Sequence, residues 1–330
     1  MVEVLSSHIA VGNTLFLRSR NVERQLPCKS LFLKFEGGNP TGTQKDRIST
    51  VIIEEALKHD YRDVSVATCG NYGASIAYFA QEYGLRSHIF IPQKYHTKRL
   101  EEIEAYRGLI YRVEGSYEDS VSICEEDSQD NNWYNASPNV KENYRISRRA
   151  YARISEEILA SLGNVPDVVS VPVGNGTTLS GIHYGFKLLR KKGDIDRVPM
   201  LIASSTSRGN PIIESFREDS ASVMDLKPED IKETEVNEPL VNWHSFDGQS
   251  ALDALYETNG HAYYASDQRM NDYAKLLLME EGLSVLPASC SALAAISQYI
   301  NEFNCPETYV AILTGRKPVY RKSLVNLNGK

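Results

Sequence analysis

Short strand-like runs alternate along the chain with longer helical patterns, and this alternation limits the fold more than any other feature. The runs are four to six residues long and lie at Asp63–Ala67, Ser87–Ile91, Leu109–Val113, Val168–Val173, Met200–Ala203 and Tyr309–Leu313. Strands of parallel sheets are buried on both faces and are therefore nearly continuous apolar runs, while the connecting helices cover the sheet. The pattern predicts an α/β fold with parallel or mostly parallel sheets flanked by helices.

Helical patterns fill the intervals between the runs. Apolar residues at 48, 51, 52, 53, 56 and 57 indicate a buried helix, and further helices are predicted over Thr97–Tyr106, Asn143–Leu162 and Leu179–Lys191. Because 330 residues exceed one small core, we expect two lobes, joined through the helix at Asn143–Leu162. A large lobe is predicted over residues 1–45 and 145–330, and a small mobile lobe over residues 46–144.

The composition excludes several classes of protein. Lys and Arg total 36 against 43 Asp and Glu, so the net charge of −7 argues against a general nucleic-acid binder. No apolar run approaches the roughly 20 residues of a membrane helix. The N-terminus lacks the basic start and apolar stretch of a signal peptide, so a cytoplasmic location is expected.

Neither metal nor disulfide chemistry is predicted. The cysteines are odd in number, widely spaced and never form C-x-x-C; they are Cys28, Cys69, Cys124, Cys290 and Cys305. The seven histidines form neither H-x-x-x-H nor H-E-x-x-H. We therefore expect no metal site.

Two glycine-bearing turns follow predicted strands and precede predicted helices. Such turns present backbone N–H groups and a helix N-terminus, which together bind anions. The turn at residues 174–178, GNGTT, lacks both the P-loop lysine and the dinucleotide fingerprint, so it favours a monophosphate; an ordinary strand–helix turn is the alternative. The turn at residues 68–73, TCGNYG, is suited to a carboxylate. Cys69 within it is interpreted as an inert thiol rather than a nucleophile.

Lys45 has an unusual predicted position. Pro40 and Gly42 shape a turn, Thr43 is a candidate N-cap, and Lys45 then lies in the first turn of the helix. The helix dipole disfavours a cation there. Lys45 is therefore either a solvated lysine or an amine that is easily deprotonated and forms a Schiff base with an aldehyde cofactor.

These segments together resemble the fold-type II pyridoxal-phosphate enzymes, in particular the threonine synthase family. The matching motifs are KFEGGNPTGTQKDR at residues 34–47, TCGNYG at 68–73, PVGNGTT at 172–178 and LTGR at 313–316. Weaker similarity extends from residues 11–19 to residues 281–296. The resemblance implies a two-lobed architecture, a large lobe that binds pyridoxal 5′-phosphate, and a homodimer that acts on a small amino acid.

The resemblance also implies a role for each matched residue. Lys45 would carry the Schiff base and move the α-proton, Asn71 would bond the ring hydroxyl, and Thr314 would face the pyridine nitrogen. The cofactor phosphate would be bound by Gly174, Asn175, Gly176, Thr177 and Thr178. The substrate carboxylate would be bound by Thr68, Cys69, Gly70, Asn71 and Tyr72. A hydroxyl at the ring nitrogen leaves that nitrogen unprotonated, which suits elimination and replacement.

The chain departs from the family pattern where substrate is expected. Thr43-Gln44 replaces the usual Ser-Phe, Tyr72 replaces a threonine, and residues 137–157 differ from the family's usual segment. Lys141 and Arg145 are predicted to meet a substrate phosphate, with a solvated basic helix face as the alternative.

The resemblance implies elimination of phosphate from O-phosphohomoserine and addition of water to give threonine. The alternatives are β-replacement on O-phosphoserine or O-acetylserine, a threonine or serine dehydratase, and a cofactor-binding scaffold without turnover. A nicotinamide-dependent oxidoreductase is disfavoured because the dinucleotide fingerprint is absent.

Overall fold

Two sheets organise the computed structural model, which describes residues 9–68, 70–93, 99–305 and 307–318. The strands are β1 (Leu15–Arg18), β2 (Ser30–Phe35), β3 (Asp63–Ala67), β4 (Arg86–Pro92), β5 (Leu109–Val113), β6 (Tyr134–Asn135), β7 (Val168–Pro172), β8 (Met200–Ser205), β9 (His261–Tyr264) and β10 (Thr308–Leu313). The helices are α1 (Arg20–Glu23), α2 (Lys45–Lys58), α3 (Asn71–Glu82), α4 (Leu100–Ala105), α5 (Tyr117–Asn131), α6 (Lys141–Leu162), α7 (Thr177–Lys192), α8 (Pro211–Arg217), α9 (Gly248–Glu257), α10 (Asp267–Glu281) and α11 (Ser291–Phe303).

Both sheets are parallel except for one edge strand. The larger sheet has the order β1-β2-β10-β7-β8-β9, in which only β1 pairs antiparallel. The smaller sheet has the order β5-β4-β3-β6 and is parallel throughout. Central strands such as β3 and β7 are buried at every position, as the apolar runs require. The predicted α/β class with mostly parallel sheets is confirmed.

The predicted elements agree with the observed ones to within a few residues, with one error in the N-cap of α2. The six predicted strands correspond to β3, β4, β5, β7, β8 and β10. The N-cap of α2 is Gln44, so the prediction of Thr43 as N-cap is wrong by one residue. The Thr43 hydroxyl still accepts the Lys45 backbone N–H at 3.2 Å. Thr97, the predicted start of α4, lies outside the described residues.

The two sheets use different parts of the chain. The smaller sheet is built from residues 63–135, and the larger from residues 15–35 and 168–313. Helix α6 packs against α7, which follows β7 of the larger sheet, and against α2, which precedes β3 of the smaller sheet. The lobe boundaries at 46 and 144, and the mobility of the small lobe, remain predictions. No helix in the described part of the chain is both long and apolar enough to cross a membrane.

A buried ionic cluster ties α2 to α6 and to the segment after β2. The Arg47 guanidinium bonds Glu36 through Nε at 2.6 Å and Glu157 through Nη1 at 2.7 Å. Lys34 Nζ lies 2.6 Å from Glu157 Oε2. Burial alone would raise the pKa of Glu157, but the hydrogen bonds and charge of Arg47, with Lys34, lower it to about 2. Every charge is paired, as a buried ion requires.

Replacing Arg47 tests this cluster. Arg47→Met leaves two carboxylates buried without their main partner, so we expect the free energy of unfolding to fall by about 3–5 kcal/mol in urea denaturation at neutral pH. The control is Arg18→Met, because Arg18 pairs with Glu23 at the surface and such pairs contribute at most about 1 kcal/mol. Equal losses in the two variants would contradict the assigned role.

Candidate active site

One cavity of about 500 Å³ collects most of the predicted site residues. It lies at the carboxyl ends of strands β3, β7 and β10, where parallel sheets deliver their functional turns. Lys45 enters it from the first turn of α2. Its lining includes Lys45, Thr68, Asn71, Tyr72, Gly174, Asn175, Gly176, Thr177, Thr178 and Thr314. The chain therefore places the amine and both anion turns around a single space.

Within the described part of the chain, three predicted substrate residues are not among those that line this cavity; they are Gly70, Lys141 and Arg145. Gly70 lies beside it in the turn, and Cys69 lies outside the described residues. Lys141 begins α6 away from the cavity, and Arg145 lines a second cavity of about 630 Å³ together with Trp133. The arrangement offers no support for substrate contacts from Lys141 or Arg145.

The turn between β7 and α7 has the geometry of an anion site. Gly176 has φ +86°, and an added Cβ would lie 2.7 Å from Ala251 Cβ and 2.8 Å from Ile212 Cδ1. Only glycine fits there without strain. Helix α7 then begins at Thr177, so its unpaired backbone N–H groups and positive dipole end face the cavity. This is the arrangement that binds a phosphate.

Side chains from distant segments hold this turn in place. Asn210 Nδ2 donates to Gly174 O at 2.9 Å, and Asn242 Nδ2 donates to Asn175 Oδ1 at 3.2 Å. The Thr177 hydroxyl donates to Asp247 Oδ2. Sequence reasoning missed these three partners, because each follows the turn by more than 30 residues and none belongs to a motif.

The turn between β3 and α3 is braced by Thr68. Its Oγ1 accepts the backbone N–H groups of Gly70 at 3.3 Å and Gly73 at 3.1 Å. Gly70 has φ +116°, which favours glycine. The Thr68 hydroxyl keeps its own proton to donate. A carboxylate bound here would therefore use that hydroxyl and the remaining N–H groups at the start of α3.

The ring of Tyr72 lies next to the Lys45 amine. Its hydroxyl donates to Ala136 O at 3.0 Å, and Lys45 Nζ lies 5.3 Å from the centre of its ring. Burial raises the pKa of Tyr72 well above its usual value, so the phenol stays neutral. The residue that departs from the family pattern is thus a fixed apolar surface against the amine.

Arg99 orients Asn71. Its Nη1 donates to Asn71 Oδ1 at 2.9 Å and its Nη2 to Thr41 O at 2.8 Å. Glu102 pairs with the same guanidinium, which is only 5% exposed. Because the carboxamide oxygen is held by Arg99, the Asn71 amide group is the end that remains to donate to a ring hydroxyl.

Thr314 has a comparable support in Ser289. The two hydroxyl oxygens lie 2.7 Å apart, and Ser289 Oγ also accepts the Gly315 backbone N–H at 3.2 Å. Gln44 N donates to Thr314 O at 2.9 Å, which joins the start of α2 to the end of β10. Ser289 is buried and was not singled out from sequence.

Acidic side chains also line the cavity, and two of them come from a segment that the sequence analysis did not single out. Residues 218–247 connect α8 to α9 largely without regular structure, and from this connection Glu233 and Glu238 line the cavity. Burial raises the pKa of Glu238 to about 8. Glu118 lines the cavity from α5. A long connection without regular structure is commonly functional, which is the signal that sequence reasoning did not use.

Comparison with known proteins decides the family. Residues 8–315 match the family described as pyridoxal-phosphate dependent enzyme. The chain belongs to this family. Threonine synthase of Methanocaldococcus jannaschii is 31% identical over 310 residues, which cover 92% of this chain and 74% of that protein. Threonine synthase of Mycobacterium tuberculosis strain H37Rv is 28% identical over 296 residues, covering 88% and 77%.

Solved structures of other enzymes share the fold. Maize serine racemase has a TM-score of 0.77 at 18% identity, over 94% of this chain and 91% of that one. A threonine deaminase from T.th. has a TM-score of 0.75 at 19% identity, over 93% of each chain. The fold-type II architecture is confirmed, and the relatives support the predicted pyridoxal-phosphate-dependent lyase with pyridoxal 5′-phosphate as its cofactor.

The cavity fits that cofactor. A phosphate group matches the N-terminus of α7 and the backbone of residues 174–177, where a side chain on Gly176 would collide with the core. Lys45, Asn71 and Thr314 line the same space and provide an amine, an amide and a hydroxyl. These groups match the aldehyde, ring hydroxyl and ring nitrogen of the cofactor.

The role of Arg99 is testable through cofactor binding. Arg99→Met removes the donor that orients Asn71, so we expect affinity for pyridoxal 5′-phosphate to fall at least tenfold in titrations followed by visible absorbance. Arg86→Met is the control, because Arg86 bonds Asp63 and its side chain is 73% exposed. Unchanged affinity in Arg99→Met would show that Asn71 does not depend on this contact.

Proposed function

We propose that this chain is a carbon–oxygen lyase of the threonine synthase type. It would eliminate phosphate from O-phosphohomoserine and add water to give threonine. The observation that carries the proposal is the meeting of Lys45, the carboxylate turn and the phosphate turn in one cavity. The similarity to threonine synthases over about nine-tenths of the chain supports the choice of substrate.

The residues divide the work between binding and proton transfer. Bound pyridoxal phosphate supplies an aldehyde for the substrate amine and a ring that accepts an electron pair from the α-carbon. Lys45 would hold the cofactor through its amine and, when that amine is free, would move the α-proton as a general base. Thr68 and the start of α3 bind the carboxylate. Asn71 and Thr314 orient the ring through its hydroxyl and nitrogen.

A second candidate is β-replacement on a serine ester. Among the described residues that line the cavity, three carry carboxyl groups and Lys45 carries the amine; the carboxyl groups belong to Glu118, Glu233 and Glu238. None of these three side chains is a cation that could pair with a second phosphate, so the lining favours a neutral ester such as O-acetylserine over O-phosphoserine. A threonine or serine dehydratase would also use an uncharged side chain.

Lys45 is the residue on which the proposal depends. Borohydride reduction of the protein with pyridoxal phosphate is expected to label the peptide that contains Lys45, detected by mass spectrometry. Lys45→Ala should lose that label and lower turnover by about 10²–10⁴, the usual contribution of general acid–base catalysis. Lys58→Ala is the control, because Lys58 ends the same helix with its side chain 67% exposed. Labelling of another lysine in the wild-type protein would overturn the assignment.

A panel of amino acids and their esters identifies the substrate. With O-phosphohomoserine we expect equal amounts of phosphate and threonine, measured by phosphate assay and amino-acid analysis, because elimination and water addition are coupled. O-phosphoserine, O-acetylserine, serine and threonine are tested in parallel. Acetate released from O-acetylserine, without threonine from O-phosphohomoserine, would transfer the assignment to the second candidate.

We further propose that the protein acts as a homodimer in the cytoplasm. Cyclic dimers are the commonest soluble assemblies, and the family resemblance supports the same state.

A further inference from the structure

A buried carboxyl group lies behind the phosphate turn and is bonded to it. Asp247 precedes α9 and is 9% exposed. Its Oδ2 accepts the hydroxyl proton of Thr177, the first residue of α7. Helix α9 also packs against the turn, where Ala251 leaves room only for glycine at position 176. An acidic group is therefore fixed beside the place where an anionic phosphate would bind.

The contact with Asp247 determines whether the Thr177 hydroxyl can donate a hydrogen bond to a phosphate. A threonine hydroxyl has one proton to donate. While Asp247 is ionised, that proton is held by the carboxylate and Thr177 cannot donate it to a phosphate oxygen. When Asp247 is protonated, its O–H donates to Thr177 Oγ1, and the Thr177 proton becomes available to the phosphate. Protonation also removes a negative charge that would repel the phosphate.

We propose that Asp247 takes up one proton when the cofactor phosphate binds, and that the Asp247–Thr177 pair makes cofactor affinity dependent on pH. The inference rests on the assignment of residues 174–178 to the cofactor phosphate. The proton passes from solvent to the Asp247 carboxylate. Only the bonds to this proton form or break. Asp247 is thus a positioning residue that acts on the phosphate through Thr177.

The surroundings of Asp247 are consistent with this uptake. Burial raises the pKa of Asp247 to about 6, although the hydrogen bond from Thr177 and the charge of Lys45 lower it. Tyr72 of α3 is the other titratable group that interacts with it, and burial keeps that phenol neutral. Before a phosphate arrives, Asp247 is therefore mostly ionised at pH 7 and close to its titration range.

Charged groups on the other neighbouring elements are engaged elsewhere. On α7, Lys187 pairs with Glu257 at the far end of α9, and burial lowers the pKa of His183 to about 4, so that imidazole is neutral at pH 7. On α8, Glu214 interacts with Tyr264. His244, three residues before Asp247, bonds Asp225 at 2.8 Å. Lys45 of α2 is therefore the charged side chain in the described part of the chain that acts on Asp247.

The test is cofactor binding to the apoprotein between pH 5.5 and 8.5. Isothermal titration with pyridoxal 5′-phosphate, in buffers of different ionisation enthalpy, gives the affinity and the number of protons taken up. The comparison is with Asp247→Asn, whose amide donates to Thr177 at every pH. Because the charge of Lys45 acts on Asp247, the same comparison is repeated in the Lys45→Ala background, where no proton change at Lys45 contributes to the difference.

We expect the wild-type protein to take up close to one proton more than Asp247→Asn at pH 7.5. Above pH 7, each pH unit should lower the affinity of the wild-type protein for the cofactor by a further factor of about ten relative to the variant. We therefore expect the variant to bind the cofactor more tightly at pH 8. Thr177→Ser should keep the wild-type pH dependence, and Thr177→Val should weaken it, because the hydrogen-bond route is lost and only the charge of Asp247 still acts on the phosphate. These two variants preserve the test if Asp247→Asn fails to fold.

The outcomes separate this inference from the proposed function. Binding of the cofactor with equal proton uptake in wild type and Asp247→Asn, or with wild-type pH dependence in Thr177→Val, would overturn the inference and leave the cofactor site intact. Absence of cofactor binding by the wild-type protein would overturn both.

Discussion

The first turn of α2 is held by buried hydrogen bonds from the two side chains that follow Lys45, and the candidate site depends on that turn. Asp46 accepts hydrogen bonds from the Thr41 backbone and from Ser75 of α3. Arg47 bonds Glu36 and Glu157. Three consecutive side chains thus leave the helix in different directions, and two are anchored in the interior. The amine at position 45 is aimed into the cavity by its neighbours, which explains why the motif continues past the lysine.

The anion turns complement that turn electrostatically. Helices α3 and α7 both begin at the cavity, so their positive dipole ends converge on the space that Lys45 enters. A phosphate and a carboxylate are both stabilised by these dipole ends. One arrangement of helices therefore favours the binding of two anionic groups beside the lysine.

Local sequence patterns predicted the elements that carry the motifs, but not the contacts that hold them. The apolar runs located six strands, and the glycine motifs located two turns that line the cavity. Strand β2 was missed because its sequence, SLFLKF, contains Lys34, which is buried through an ion pair with Glu157. Pairings such as Ser289 with Thr314 join residues whose proximity depends on the strand order of the completed sheet. Neither burial of a paired lysine nor strand order leaves a periodic signal.

The cavity combines two kinds of lining group. Backbone N–H groups, glycines and hydroxyls fit the cofactor, and they are supported by Asn210 and Asp247. The connection at residues 218–247 supplies Asp247 to that support and also carries Glu233 and Glu238, which line the cavity together with Glu118 of α5. Backbone and dipole groups bind a phosphate by fixed geometry, whereas side chains on an irregular connection change without cost to the core. The fold therefore fixes where the cofactor fits, while Glu233 and Glu238 lie on the connection between α8 and α9, outside the two sheets.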